Sequence, residues 1–182
     1  MSGDCLHDRL AIVERELAWH RDLRAIEDVL TLYSRALDWL DDAAIESVFW
    51  DDAEIDYGFF KGSGKDFKPL LMDLEHRVGR RWHFTAQVKI ALDGDMAEVE
   101  SYNFTIAAEK IGFDESSPLM QFYGTYIDRF ERREGRWGIV RRRHLLVGGA
   151  FVPEAAMVGE FAELNQIGEA DPRHPEFRRL AS

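Results

Sequence analysis

The chain has 182 residues, 46% hydrophobic and 31% charged, the size and composition of one globular domain able to bury its own core. A formal net charge of −11 argues against nucleic acid as a partner, because neutralising phosphates needs clustered Lys and Arg. The basic runs, Arg80-Arg81 and Arg141-Arg142-Arg143, are short and lie inside strand-like segments. The single cysteine, Cys5, excludes an internal disulfide and a cysteine metal site. No run reaches the roughly 20 apolar residues of a membrane span, and the start lacks a signal peptide's apolar stretch, so a cytoplasmic location is expected.

Ile26, Leu30, Tyr33, Leu37 and Leu40 recur every three or four residues, which predicts a helix over about 22–40 packed on one side. Asp41 and Asp42 supply an N-cap for a short second helix, 43–49. Ala53, Ile55, Tyr57 and Phe59 alternate with polar neighbours and predict a strand over 51–60. Gly62-Ser63-Gly64 breaks the chain, and 67–78 reads as a third helix with Pro69 in its first turn.

From residue 81 the period becomes two. Phe84, Ala86, Val88, Ile90 and Leu92 share one face; Arg81, His83, Thr85, Gln87 and Lys89 share the other. Asp93-Gly94 signals a hairpin, and strands are expected over 96–108, 119–132 and, after Glu134-Gly135, 136–147. Beyond Gly148 the chain is punctuated by glycine and proline, with a short helix expected at 154–167 and a charged tail, 169–182, that wraps a neighbour or is disordered. The order predicts an α+β architecture: three helices packed on one face of a curved, mainly antiparallel sheet.

His83 is the most informative position, since its face of the strand is polar although the strand is expected to be central. Asp38 falls near the end of the first helix, at the edge of its apolar stripe. A carboxylate on one ring nitrogen of a histidine fixes the tautomer and raises basicity at the other, as proton abstraction requires. By strand parity and position, Arg81, Tyr33, Tyr57, Asn103 and His144 are candidate substrate contacts. No His-Glu-x-x-His, Gly-x-Gly-x-x-Gly or Gly-x-Ser-x-Gly pattern occurs, so neither a metal nor a cofactor is expected.

Tyr33-Ser-Arg-Ala-Leu-Asp38-x-x-Asp41, Asp51-Asp52-Ala-Glu-Ile-Asp56-Tyr57, Arg81-Trp-His83-x-x-x-Gln87, Leu92-Asp-Gly-Asp95 and the Gly-Arg-Trp137 turn together resemble the SnoaL-like branch of the nuclear transport factor 2-like superfamily. The resemblance covers roughly residues 20–147. It implies a cone-shaped barrel, with residues 1–19 and 149–182 as extensions to a 20–148 domain. It also implies assembly as a dimer or trimer, and an aspartate on the first helix orienting a histidine on the first long strand, roles that fall on Asp38 and His83. Gln87 departs from the asparagine that the pattern more often carries, and is expected to face the cavity.

That branch includes polyketide cyclases, scytalone dehydratase, hexachlorocyclohexane dehydrochlorinase and diarylpropane lyases. The resemblance therefore implies a cofactor-independent lyase acting on a small hydroxylated aromatic or polycyclic compound by dehydration, other elimination or loss of a one-carbon fragment. The alternatives are an isomerase or cyclase using the same base, the non-catalytic small subunit of an aromatic-ring dioxygenase, and a ligand-binding protein of the same fold.

Overall fold

The structure, a computed structural model, describes residues 2–109, 111, 118–153 and 157–180, with side chains from residue 6 onward. Helix α1 runs from Ser2 to Asp38, far longer than the periodic stretch that announces it. Its first half leaves Leu6, Leu10, Val13 and Leu17 exposed, while Ile26, Leu30, Tyr33 and Leu37 are buried. Both halves carry an apolar stripe, but among the described residues only that of the second half packs into the core.

Helix α1 ends in a tight reversal. Leu40 takes a left-handed φ of 50°, the Asp41 amide reaches back to the Ala36 carbonyl at 2.9 Å, and the Leu40 amide bonds Leu37 at 3.3 Å. Asp41 then caps α2 (Asp42–Ile45) by accepting from the Ala44 amide. Helix α2 is shorter than expected, because 49 already belongs to strand β1 (Phe49–Asp56). Phe59, expected on that strand, is exposed in the following turn.

After β2 (Lys61–Ser63), Ser63 caps α3 (Gly64–Glu75), which starts three residues earlier than expected and places Pro69 in its second turn. Four long strands follow: β3 (Arg80–Asp93), β4 (Met96–Ala108), β5 (Leu119–Arg133) and β6 (Arg136–Val152). They pair antiparallel in sequence order, as expected. Glu134 and Gly135 both have positive φ, the geometry that a two-residue hairpin between twisted strands demands.

β1 pairs with the far strand, β6, in parallel, giving a mixed six-stranded sheet in the order β2-β1-β6-β5-β4-β3 that does not close. The three helices pack on one face, with Leu30, Tyr33, Phe49, Phe67, Val99 and Phe130 among the core residues.

The parity expected for β3 holds only as far as Ala86. Gln87 has φ 52°, and the pairing jumps from Ala86↔Tyr102 to Lys89↔Glu100, so two residues face one: a β-bulge. Before the bulge, Arg81, His83 and Thr85 face the helices; after it, Val88, Ile90 and Leu92 do, and these three pack against the core. Gln87 is therefore exposed instead of facing the cavity, and the supposed single apolar row is split between two faces.

The tail folds back on its own chain. Trp39 packs against His174 and Phe177, Arg35 donates to the Arg178 carbonyl at 2.9 Å, and Arg179 lies 3.4 Å from Asp41. The helix expected at 154–167 reduces to one 3-10 turn, Gly159–Glu163, its first residues lying outside those described.

At the centre of the sheet, Arg142 and Asp128 form a two-pronged ion pair with no solvent exposure, with donor–acceptor distances of 2.8 and 2.7 Å. The guanidinium also lies over the rings of Tyr126 and Tyr33, at 4.0 and 4.5 Å. Removing one partner strands a buried charge, so Asp128→Asn is expected to destabilise the fold by about 3–5 kcal/mol in urea unfolding, well beyond the effect of an exposed-pair change such as Arg77→Gln.

Candidate functional site

Asp38 is the last residue of α1, where an acid is unfavourable because the helix dipole already places negative charge there. Its carboxylate meets β3 instead of solvent. Asp38 Oδ1 accepts from the His83 backbone amide at 2.9 Å and lies 2.8 Å from His83 Nδ1. One oxygen thus fastens helix to strand and fixes Nδ1 as the donating nitrogen.

The other face of the ring meets a group that the sequence reading passed over. Glu75, at the end of α3, places Oε1 3.5 Å from His83 Nε2. Its second oxygen is 3.8 Å from Arg81 Nε. A signal existed: Glu75 follows Phe67 and Leu71 at intervals of four, on the buried stripe of α3. All four side chains are shielded, with exposures of 8% for His83, 20% for Asp38, 13% for Glu75 and 4% for Arg81.

Burial alone would lower the His83 pKa, but hydrogen bonds to Asp38 and Glu75, with the charges behind them, overcome it and raise the value from 6.5 to about 9. Burial also pushes the Asp38 carboxyl above its ordinary value, offset only in part by His83. At neutral pH the imidazole is therefore protonated in the resting site.

Asp38 and His83 line a groove of about 400 Å³ between α1 and β3. Leu30 and Val88 give it apolar surface, and Ser34 and Thr85, whose hydroxyls are 3.2 Å apart, give it polar surface. Arg81 lines a neighbouring cavity of about 700 Å³ bounded by the ends of α1 and α3 and by residues 169–173 of the tail.

The remaining candidates gather elsewhere. Tyr33 and Tyr57 share a hydroxyl hydrogen bond of 3.0 Å, and the His144 ring packs on Tyr57 and Tyr126 at 5.1 and 5.2 Å. Burial, reinforced by Arg142, holds the His144 pKa below its usual value, so this imidazole is neutral. Asn103 is buried beside it, near Gly124, where an added Cβ would lie 3.0 Å from His144 Nε2 and 3.2 Å from Asn103 Oδ1. The structure thus brings Arg81 to the Asp38–His83 pair through Glu75, and sets Tyr33, Tyr57, Asn103 and His144 in a separate interior cluster. Among the described residues no group of His, Cys, Asp and Glu could hold a metal ion, and no helix is long and apolar enough to cross a membrane.

Three helices packed on an open, curved, mixed six-stranded sheet are the architecture of the nuclear transport factor 2-like class. Within it, the SnoaL-like domain matches residues 20–143, and the chain belongs to that family. No protein of curated function matches it.

Solved structures share the fold. A protein of Novosphingobium aromaticivorans provisionally assigned as a scytalone dehydratase is 24% identical, with TM-score 0.63 over 76% of this chain and 93% of that one. Hexachlorocyclohexane dehydrochlorinase LinA-type3 of Novosphingobium barchaimii is 17% identical, with TM-score 0.67 over 79% and 99%. A second N. aromaticivorans protein, provisionally assigned as an aromatic ring hydroxylase, is 19% identical, with TM-score 0.63 over 72% and 94%.

The raised His83 value has a consequence for stability. A histidine whose pKa rises on folding contributes stability that is fully present below pH 6.5 and is lost as pH climbs through about 9. The contribution is on the order of 3 kcal/mol, so thermal unfolding between pH 6.5 and 9 should show a falling midpoint in the native chain and a much flatter one in His83→Gln.

Proposed function

We propose that the chain is a cofactor-independent lyase that uses Asp38 and His83 as its acid–base pair. The observation that carries this reading is the Asp38–His83 contact at the wall of the groove. A carboxylate placed at the unfavourable end of a helix is there held by the ring and amide of one histidine. In such a site Nε2 takes a proton from substrate carbon, the released pair forms a carbon–carbon double bond, and a hydroxyl on the adjacent carbon departs as water by taking that proton back from Nε2. The Ser34 and Thr85 hydroxyls lie in the same groove to solvate the departing oxygen.

The mixture of apolar wall and hydroxyls suits a small hydroxylated aromatic compound. The dehydratase and dehydrochlorinase assignments among fold neighbours support elimination chemistry. A panel of hydroxylated phenyl- and naphthyl-alkanols, followed by ultraviolet absorbance of the conjugated product, tests the activity. His83→Ala and Asp38→Asn are each expected to lower turnover by about 10²–10⁴-fold with the fold intact, and full activity in the His83 variant would sink the reading. Because the base form appears only as His83 loses its proton, kcat/KM is expected to rise with pH and level off above about 9.

Self-assembly belongs to the same proposal. Trp82 stacks on Phe84 at 5.7 Å on the face of the sheet away from the helices, beside Tyr102 and Tyr123, and all four are exposed. An aromatic patch spread over β3, β4 and β5, at the open edge of a sheet, is suited to a second copy of itself. Light scattering on a Trp82→Arg, Phe84→Asp variant should give a smaller species than the native chain.

A further inference from the structure

Resting on the acid–base reading, one feature of the site goes beyond it. The Nε2 position of His83, which must be open to receive a proton from substrate, is occupied by a carboxylate of the protein itself. The contact is long, 3.5 Å, so the carboxylate is near but not tightly bonded. On its other side stands a donor with nothing to donate to: Arg81 Nε is shielded from solvent and has no hydrogen-bond partner. Arg81 itself is fixed in place, because its other nitrogens reach the Val78 carbonyl and, at 3.5 Å, the Ala170 carbonyl of the tail. Glu75 Oε2 is 3.8 Å from the orphaned Nε, so a movement of roughly 0.9 Å makes an ordinary hydrogen bond there. The Oε1–His83 contact, already 3.5 Å long, is the one that such a movement can release.

We propose that Glu75 is a positioning residue with two stations, one holding the Nε2–H of His83 and the other bonded to Arg81 Nε, and that its transfer to Arg81 frees His83 to exchange a proton with substrate. In the first station the imidazolium is stabilised on both sides, by Asp38 from α1 and Glu75 from α3. In the second station a buried guanidinium gains its missing acceptor, and His83 keeps only Asp38. Arg81 from β3 is the charged group facing Glu75, and the β4 residue paired with His83, Thr105, is uncharged. The proton affinity of His83 thus follows where the Glu75 side chain stands, and a substrate that displaces the carboxylate creates its own base.

The test reads His83 directly. In the full chain, ¹⁵N-detected titration of the His83 ring is compared among the native protein, Glu75→Gln and Arg81→Met, without substrate. Glu75→Gln removes a negative charge within contact distance and is expected to lower the titration midpoint by about one unit or more. Arg81→Met removes the second station, so the midpoint stays at its native value or rises, while kcat/KM falls at every pH. Glu75→Asp, too short to span both stations, should give an intermediate midpoint, and serves if the glutamine variant fails to fold. An unchanged midpoint in Glu75→Gln overturns the proposal, as does an Arg81→Met midpoint that falls as far as that of Glu75→Gln. The titration needs no turnover, so it stands apart from the lyase reading, which fails separately if His83→Ala remains fully active.

Discussion

Gln87 carries the constraint on which the rest of the arrangement turns. A β-strand alternates faces without exception unless a residue is inserted, and Gln87 is that residue, held at positive φ where a side chain is mildly strained. The insertion lets one strand serve two masters. Its first half turns polar residues toward the end of α1, and its second half turns Val88, Ile90 and Leu92 into the core. Without the bulge, a strand presenting His83 to Asp38 would drive those three aliphatic chains out of the core. The aromatic patch on the outer face follows from the same switch, because Trp82 and Phe84 occupy the alternate positions before it.

Arg142 and His83 are both buried cationic groups, and they differ in kind. Arg142 is matched by one carboxylate in an ideal two-pronged geometry, and aromatic rings cover its faces, so its charge is fixed and its neighbours are static. His83 has two carboxylates for one ring, and one of them has an alternative partner within reach. An ion pair with a single solution braces a sheet, whereas a surplus acceptor beside a titratable ring creates choice.

The periodic signals carried the helix stripe, the four long antiparallel strands and their hairpins, because each is set by local spacing. Asp38 and His83 were legible as partners only through the family pattern, since the contact joins segments 45 residues apart. Three things stayed hidden. The bulge has no glycine or proline to mark it, so strand parity was carried through Gln87 unchanged. The parallel pairing of β1 with β6 is a long-range choice that no local pattern encodes. Glu75, beside His76, looks like a solvated helix-end acid unless its spacing of four from Phe67 and Leu71 is weighed, and Arg142, between two arginines, is revealed as buried only by the packed structure.

Arg81 owes part of its place to the Ala170 carbonyl, and the end of α1 owes part of its cover to His174, Phe177 and Arg179. These residues leave the ribosome after all six strands have been made. The sheet and helices are thus complete in composition before the wall around Arg81 is, and a stretch made after them finishes the surroundings of the first helix's final turn. The tail thus closes over a site whose catalytic candidates are already positioned by elements made before it.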